Sequence, residues 1–396
     1  MGGLQHAASE AAIQLRRIGW EHGICIVSEE AFAPYHRPPL SKGFLTDSVE
    51  HEKLKLKKDD IYKKNNISLK LDTEIVEIDR SEKCVKTRSG ECIAYSELII
   101  ATGARPRKLN APRFSLSCIH YLRTLSDAEK IKDNVQSGAK VLIIGAGYIG
   151  LEVAASAKKL GAMVTVVEAQ NRILARVTSD FVSNFFTDLH RKEGVDVVLD
   201  TSIETIEEQG DCFIAKFNNN AAVEFDMMVV GIGVLPNTEL AARCGLQCDN
   251  GIVVDEHTQT SDPAIYAIGD CSNHPSHHYK KRIRLESVPN AMGQAKVAAS
   301  MITGTVASHQ SLPWFWSDQF DVKIQTAGLF EGYEKTVIRG NPKDKSFCVF
   351  YLIDDCIIAM DAINSPADFM ASKAFIANKT PVSVEKLSNT AAPWFK

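Results

Sequence analysis

The feature of this sequence that most restricts its fold is a glycine-rich turn between an apolar strand and a helix of small residues. KVLIIGAG (140–147) is typical of a strand entering such a turn, and YIGLEVAASAKKLG (148–161) has the pattern of a helix. MVTVVE (163–168) is typical of the next strand. Together they predict one complete β-α-β unit of the kind that binds a dinucleotide.

The glycines of that turn and the acid that ends the next strand have separate tasks. Gly145 allows the tight turn, Gly147 lets the backbone approach a pyrophosphate, and Gly150 lets helix and strand pack closely. The helix N-terminus faces the phosphate charge. Glu168 can bind a ribose 2′-hydroxyl and repels a 2′-phosphate, and no arginine follows it until Arg172. The sequence therefore favours NADH over NADPH.

Length and composition exclude several other classes of protein. The chain has 396 residues, of which 45% are hydrophobic and 24% charged, with a net charge of −4. That length suggests two to four domains at roughly 100–200 residues each, and the charge argues against nucleic acid as a partner. No apolar run approaches the roughly 18–20 residues of a membrane span, and no signal peptide is evident. Ten scattered cysteines without a C-x-x-C pair indicate a reduced, cytoplasmic protein.

A coarse repeat suggests a second nucleotide-binding unit. Strands and helices alternate over the first three quarters of the chain, which predicts a parallel α/β architecture. A strand that ends in Glu after a small-residue helix occurs at 24–29 as well as at 163–168. From about residue 313 the pattern becomes that of an antiparallel sheet, closed by a small helix near 366–378. We expect this last part to form a separate domain.

Two further strand ends fit a flavin site. Thr102-Gly103 closes the segment ELIIATG, and Gly269-Asp270 closes the segment AIYAIGD. Each alone is consistent with a simple turn after a buried strand. Together, on either side of the NAD unit, they resemble the two-dinucleotide-binding flavoprotein reductases. In that superfamily Asp270 would hydrogen-bond the ribityl or pyrophosphate part of FAD.

A narrower resemblance begins at PYHRPPLSK (34–42). Six more segments extend it over nearly the whole chain: IIATGARPR, IGAGYIGLE, VVGIGVLPN, YAIGD, ESVPNA and LPWFWSDQ. With these motifs the chain resembles the NADH-dependent ferredoxin reductases. Those flavoproteins feed Rieske-type oxygenases, as in aromatic hydrocarbon catabolism, or cytochromes P450 through a small iron–sulfur protein. Rubredoxin reductases and apoptosis-inducing factor are relatives.

The resemblance implies an α/β fold of the glutathione-reductase type. Two Rossmann-like dinucleotide-binding domains would be followed by a C-terminal α+β domain. The FAD-binding domain would comprise residues 1–108 and 230–312, the NAD-binding domain residues 109–229, and the C-terminal reductase domain residues 313–396. The implied cofactors are FAD and NADH, and the implied partner is a ferredoxin-type iron–sulfur protein.

The resemblance also implies site residues by position. Lys42 would lie near the reactive flavin nitrogen and stabilise the reduced flavin, and Glu286 would lie near the nicotinamide and set the position of Lys42. The implied FAD contacts are Gly3, Glu29, Arg37, Lys42, Ala101, Thr102, Gly103, Arg105, Gly269, Asp270, Val288 and Trp316. The implied NAD contacts are Gly145, Gly147, Tyr148, Ile149, Gly150, Glu152, Glu168, Gly231, Ile232, Gly233 and Glu286. No metal ligand is implied.

The start of the sequence departs from the family pattern. In the family a strand precedes the first glycine motif, whereas this sequence begins Met1-Gly2-Gly3, so that only Gly3 occupies a glycine position of the motif. His6 stands where a small residue would allow close helix packing. We expect this departure to weaken FAD retention.

The sequence leaves three alternative functions open. The first two, a rubredoxin reductase and an NADH oxidase, share the fold, and the third is a non-enzymatic NADH sensor like apoptosis-inducing factor. Thiol chemistry is disfavoured, because Ser41 lies in a stretch without any cysteine between residues 26 and 83. A basic run, Lys280, Lys281, Arg282 and Arg284, suggests either an electrostatic guide for an acidic ferredoxin or a solvated loop.

Overall fold

The computed structural model describes residues 3–109, 117–210 and 212–395. The first two residues of the sequence, and the stretch in which the predicted NAD-binding domain begins, lie outside the described residues. The helices are α1 Gly3–Arg17, α2 His51–Leu54, α3 Asp59–Lys64, α4 Leu125–Asn134, α5 Tyr148–Lys159, α6 Asp180–Lys192, α7 Glu239–Arg243, α8 Val288–Ile302, α9 Pro366–Asn378 and α10 Val384–Ser388.

The strands follow the same chain order. The first fourteen are β1 Ile24–Val27, β2 Ile67–Lys70, β3 Ile75–Asp79, β4 Cys84–Thr87, β5 Cys92–Ala94, β6 Leu98–Ile100, β7 Ala104–Pro106, β8 Ile119–His120, β9 Lys140–Ile144, β10 Met163–Val167, β11 Val195–Val198, β12 Ile203–Gln209, β13 Cys212–Phe217 and β14 Ala222–Phe225. The others are β15 Met227–Val230, β16 Val234–Pro236, β17 Ile252–Val253, β18 Ile265–Ala267, β19 Ser272–Ser276, β20 Lys281–Ile283, β21 Trp314–Gln319, β22 Val322–Gly328, β23 Lys335–Asn341, β24 Ser346–Ile353 and β25 Cys356–Ile363.

The chain divides into two compact units, each built from three segments. Unit 1 comprises Met1–Pro38, Glu50–Arg105 and Val234–Pro313. Unit 2 comprises Pro39–Val49, Pro106–Gly233 and Trp314–Lys396. The division into three domains that the resemblance implies stays a proposal.

Unit 2 contains a five-stranded parallel sheet. Its order is β11-β10-β9-β15-β8, with β9 in the centre. Val141, Leu142 and Ile143 of β9 are at most 1% exposed, as expected for a strand covered on both faces. Because parallel strands end at the same edge of a sheet, the turns that follow β9, β10 and β15 lie together there.

An antiparallel sheet and its helix form the C-terminal part of unit 2. The sheet has the order β21-β22-β25-β24-β23, and α9 packs on β22 and β25. The indole of Trp394 is fully buried and donates to the Asp368 carboxylate over 2.7 Å. The predicted change of pattern near residue 313 and the predicted helix at 366–378 are both confirmed.

Unit 1 contains short parallel pairs and a tight helix pair. β1 pairs with β2, and β6 pairs with β18, both in parallel. Helices α1 and α8 pack through alanines that lie one turn apart on each helix, which lets the two backbones approach closely. These alanines are Ala7, Ala11, Ala291, Ala295 and Ala298.

The basic run of unit 1 forms a hairpin, although its composition suggested a loop. Strands β19 and β20 pair antiparallel, with His274 opposite Ile283 and Ser276 opposite Lys281. Backbone pairing overrides the polar composition because the inner strand β19 is largely buried. In the described part of the chain, no helix has both the length and the apolar character needed to cross a membrane.

Candidate functional site

The glycine turn of unit 2 has the geometry that its sequence predicts. Gly145 has a φ of +99°, and a Cβ there would lie 2.6 Å from the carbonyl oxygen of Gly231. A Cβ on Gly150 would lie 2.1 Å from the carbonyl oxygen of Gly145. Real Cβ atoms do not come so close to backbone oxygens. Gly145 and Gly150 are therefore required by the turn and by the contact of helix α5 with it.

Gly147 differs from the other two glycines in having open space beside it. No atom lies within 4 Å of the position that its Cβ would take, and it is the N-cap of α5. The N-terminal amides of a helix carry partial positive charge and attract anions. An unfilled space at this helix end fits a pyrophosphate group. Tyr148 and Ile149 begin α5, and the Tyr148 ring packs 4.7 Å from that of Phe315.

The segment after β15 borders the same turn. Gly231 lies beside the backbone of Gly150. Ile232 packs against a buried cluster that includes Leu142, Ile144 and Met228 of the parallel sheet. Gly233 has a φ of +102°, and the guanidinium of Arg176 would lie 3.5 Å from a Cβ on it. The structure thus brings Gly231 and Ile232 to the glycine turn. It places Gly233 beside Arg176, an arginine that sequence patterns did not indicate.

The Glu168 carboxylate is hydrogen-bonded to the backbone of the glycine turn. Its carboxylate accepts hydrogen bonds from the amides of Ala146, over 2.7 Å, and of Gln170, over 2.9 Å. A carboxylate has about four acceptor positions, so two remain for ribose hydroxyls. Arg172 binds the carbonyls of Ala175 and Thr178 and the carboxylate of Asp180. With its donors engaged in this way, Arg172 does not favour a 2′-phosphate.

The second polar centre of unit 2 surrounds a buried carboxylate on α5. The Glu152 side chain is fully buried, and one of its oxygens lies 2.7 Å from the ammonium nitrogen of Lys42. The hydroxyl of Ser41 donates to the same oxygen over 2.5 Å, and that of Ser317 donates to the other oxygen over 2.6 Å. A buried charge needs such partners to be tolerated. Lys42, by contrast, stays partly exposed.

Trp316 lies on β21, one residue before Ser317. Its ring centroid is 5.7 Å from that of Trp314, and it is half-buried. The Lys373 ammonium lies 4.9 Å from the Trp314 centroid, which is within the range of a cation–π interaction. The fixed position of Trp316 suits an aromatic group that covers a flat ligand.

In unit 1, Arg37 is tied to a carboxylate that the sequence patterns did not indicate. Arg37 is buried and forms an ion pair with Glu30, whose other oxygen accepts from the Tyr35 hydroxyl over 2.6 Å. Gln5 also donates to Glu30, over 3.0 Å. The predicted ribose ligand Glu29 is exposed, and partial desolvation together with the charge of Glu30 raises its pKa. The position of an acid in the sequence does not show whether Glu29 or the adjacent Glu30 binds a given partner.

Two predicted flavin segments of unit 1 end at one sheet edge. Ile100 of β6 is paired with Ala267 of β18, so Ala101-Thr102-Gly103 and Gly269-Asp270 follow neighbouring strand ends. Asp270 is 0% exposed. The carboxyl edge of parallel strands is where dinucleotides bind in such folds. A buried carboxylate at this edge fits a polyhydroxyl chain such as the ribityl chain of FAD.

Four more predicted site residues lie in unit 1, and two of them form ion pairs with protein groups. Arg105 is exposed and forms an ion pair with Glu239 over 2.7 Å. Glu286 forms an ion pair with Arg284, also over 2.7 Å. Val288 is the first residue of α8, and Gly3 is the first of α1. The expected roles of Arg105, Val288 and Gly3 toward the flavin, and those of Glu286 toward the nicotinamide and Lys42, stay predictions.

Comparison with known proteins identifies the family. A family model described as "pyridine nucleotide-disulphide oxidoreductase" matches residues 2–295, and one described as "reductase C-terminal" matches residues 314–394. The chain belongs to the pyridine nucleotide-disulphide oxidoreductase family. Membership confirms the predicted fold class and the predicted cofactors, FAD with a pyridine nucleotide.

Relatives within this family are similar over nearly their full length. Putidaredoxin reductase of Pseudomonas putida is 40% identical, with 98% of this chain and 93% of that protein covered. Rhodocoxin reductase of Rhodococcus erythropolis is 41% identical over 98% of this chain and 91% of that protein. The solved covalent putidaredoxin reductase–putidaredoxin complex matches with a TM-score of 0.95 over 99% of this chain and 95% of that chain, at 40% identity. These findings confirm the resemblance to ferredoxin reductases.

The family name refers to a disulphide, and the cysteine that directly follows Asp270 is Cys271. Cys271 is buried, and burial raises the pKa of its thiol. The ten cysteines form no disulfide, and Ser41, next to Lys42, donates its hydroxyl to Glu152. A thiol-dependent reductase needs a reactive cysteine beside its flavin. That thiol chemistry is disfavoured in this chain stays a prediction.

Proposed function

We propose that this chain is an FAD-dependent reductase that passes electrons from NADH to a ferredoxin-type iron–sulfur protein serving an oxygenase. The similarity to the putidaredoxin reductase–putidaredoxin complex over 99% of the chain carries the proposal. When bound, NADH supplies a hydride and FAD divides its two electrons for a one-electron acceptor. The protein provides binding, orientation and charge.

The two polar centres of unit 2 have different tasks in this proposal. The space at Gly147 receives the pyrophosphate, and Glu168 receives the adenosine ribose while it holds the turn through Ala146. Lys42 supplies a positive charge for the reduced flavin. Its ion pair with Glu152 directs it, and the hydroxyls of Ser41 and Ser317 fix that carboxylate. The site needs no general acid or base for hydride transfer.

The acceptor can be tested directly. We expect the purified protein to have the visible spectrum of oxidised flavin and to be bleached by NADH much faster than by NADPH. We then expect NADH-dependent reduction of cytochrome c to need an acidic [2Fe–2S] ferredoxin. Fast reduction through rubredoxin but not through ferredoxin would replace the proposed acceptor. Rapid peroxide formation without any partner would indicate an oxidase instead.

Rubredoxin is the second candidate acceptor. A rubredoxin-NAD(+) reductase of Pseudomonas putida is 38% identical over 91% of this chain and 94% of that protein, against 40% for putidaredoxin reductase and 41% for rhodocoxin reductase.

The cellular location is a separate part of the proposal. Ten cysteines without a disulfide suit a reducing compartment. We place the protein in the cytoplasm, where NADH is available.

A further inference from the structure

A buried carboxylate in the C-terminal sheet of unit 2 is a meeting point of three hydroxyl groups. Asp361 of β25 is 1% exposed. It accepts hydrogen bonds from the hydroxyls of Tyr351, over 2.7 Å, of Thr326, over 2.8 Å, and of Thr178. A buried carboxyl group needs such donors to be tolerated. Among these groups, Thr178 also touches the dinucleotide site, because its carbonyl accepts from Arg172 over 2.9 Å.

The three donors come from two different parts of unit 2. Thr326 and Tyr351 lie on β22 and β24, in the same sheet as Asp361. Thr178 instead is the second-last residue of the segment 169–179, which we call the ribose loop because it directly follows Glu168. The amide of Ser179 also donates to the Tyr351 oxygen over 3.2 Å. The carboxylate thus joins the end of the ribose loop to the C-terminal sheet.

Hydrogen bonds hold the ribose loop at several points along its length. Near its start the Gln170 amide binds Glu168, and in its middle the Leu174 amide donates to the Ala146 carbonyl over 3.0 Å. Leu174 is buried with a φ of +53°, a left-handed conformation that is unfavourable for a non-glycine residue. Such strain persists only where the surroundings maintain it. The hydroxyl of Ser183 donates to the Ile173 carbonyl over 2.7 Å, and the link from Thr178 to Asp361 holds the end of the loop.

We propose that Asp361 is a positioning residue for the dinucleotide site, acting through Thr178 on the ribose loop. Loss of the Thr178 link lets Leu174 relax, which loosens the Ala146 turn on which both Glu168 and the pyrophosphate space depend. The inference rests on the proposed function, since it assumes that NADH binds at that turn. The C-terminal domain then contributes to NADH affinity without touching NADH.

Two valine substitutions separate positioning from mere stability. Thr178→Val and Thr326→Val each remove one hydroxyl from Asp361 at nearly constant volume, but only Thr178 lies on the ribose loop. We expect Thr178→Val to raise KM for NADH about tenfold, the usual scale for a lost charged hydrogen bond, with kcat changed less than about twofold. Thr326 also interacts with the Tyr148 hydroxyl, so Thr326→Val should raise KM clearly less than Thr178→Val rather than leave it untouched. Asp361→Asn, which retains one acceptor oxygen, should give an intermediate KM.

Hydrogen exchange supplies a readout that does not depend on turnover. Amides of residues 169–179 should exchange faster in Thr178→Val than in Thr326→Val. Equal effects of the two valines on KM and on exchange would overturn the inference. If NADH fails to reduce the flavin of the wild-type protein, the proposed function fails. The exchange comparison then still decides whether Asp361 holds the loop.

Discussion

The ammonium nitrogen of Lys42 lies 2.7 Å from a carboxylate oxygen of Glu152, although 109 residues separate the two in the sequence. Glu152 is fully buried on α5, whereas Lys42 is 17% exposed. The pair fixes a positive charge next to the beginning of the helix that follows the glycine turn. Two serine hydroxyls complete the environment of the carboxylate.

Breaking this pair from one side should be costly. Lys42→Met leaves the buried Glu152 carboxylate with hydroxyl donors only, and should lower the free energy of unfolding by about 3–5 kcal/mol. Adding Glu152→Gln removes the uncompensated charge and should restore part of that loss. Urea denaturation of both variants measures the difference. Equal stability of the single and double variants would show that the pair is not electrostatically coupled.

The glycines of the turn should separate binding from folding. Gly147→Ala places a methyl group in open space, so we expect a loss of less than about 1 kcal/mol in stability. If the pyrophosphate occupies that space, KM for NADH should rise at least about tenfold. Thermal melting and steady-state kinetics measure the two effects.

Gly150→Ala is the matched control for that variant. Its methyl group would meet the Gly145 carbonyl oxygen, and it should lower stability by about 1–3 kcal/mol through overpacking. A Gly147→Ala protein that binds NADH normally would contradict the placement of the pyrophosphate.

Glu168 should set the preference for NADH. Glu168→Ala combined with Gln170→Arg removes a charge that repels a 2′-phosphate and adds one that attracts it. Each such charged hydrogen bond is worth about 1.5–3 kcal/mol, so the ratio of kcat/KM for NADH over NADPH should fall by at least about tenfold. The single Glu168→Ala variant should also lose affinity for both dinucleotides, because Ala146 loses its hydrogen bond. An unchanged ratio in the double variant would contradict the assignment.

The basic hairpin should guide an acidic ferredoxin at low salt. Lys280 and Lys281 are exposed, while Arg282 binds the carbonyls of Val254 and Asn273 and Arg284 pairs with Glu286. Lys280→Glu with Lys281→Glu should slow ferredoxin reduction several-fold at low ionic strength, and salt should remove the difference.

Flavin reduction by NADH should be unaffected by the same two substitutions, as stopped-flow traces of the two half-reactions can show. The exposed neighbours Lys63 and Lys64 on α3 provide the control, since their reversal changes the net charge equally. If both double variants slow ferredoxin reduction alike, the effect belongs to net charge and not to the hairpin.

Buried histidines should make the protein sensitive to mild acid. Burial lowers the pKa of His190 and His309 to about 4 and of His6 and His274 to about 3, from 6.5. The folded state keeps them neutral, so their contribution to stability is complete above pH 6.5 and is lost as the pH falls towards 4. Each histidine contributes a slope of about 1.4 kcal/mol per pH unit in that window.

Urea denaturation between pH 7.5 and 4.5 tests this expectation. The free energy of unfolding should fall steeply below pH 6.5. His190→Gln should reduce its slope against pH by about 1.4 kcal/mol per pH unit, the contribution of one histidine. The difference between the two slopes isolates His190 from carboxylates that titrate in the same range. Parallel slopes for the wild type and the variant would contradict the assignment.

Much of the local structure could be predicted from the sequence. The predicted strand at 140–147 and helix at 148–161 correspond to β9 and α5, and the helix at 366–378 agrees with α9. Gly145 and Gly150 lie where the glycine pattern requires them. These features follow from residue periodicity and from backbone freedom at glycine, which act over a few residues. Sequence reasoning can therefore reach them without knowledge of the rest of the fold.

The partners of the charged residues were decided by the tertiary structure alone. The sequence indicated Lys42, Arg37 and Glu168 as site residues, but it did not indicate that Glu152 faces Lys42 or that Glu30 binds Arg37. It also contained no sign that Asp361 holds the end of the ribose loop. Such pairings depend on which surfaces meet after the chain has folded, and a charged side chain carries no local pattern that names its distant partner. Burial then selects the pairs, because each buried charge must find a donor or an opposite charge.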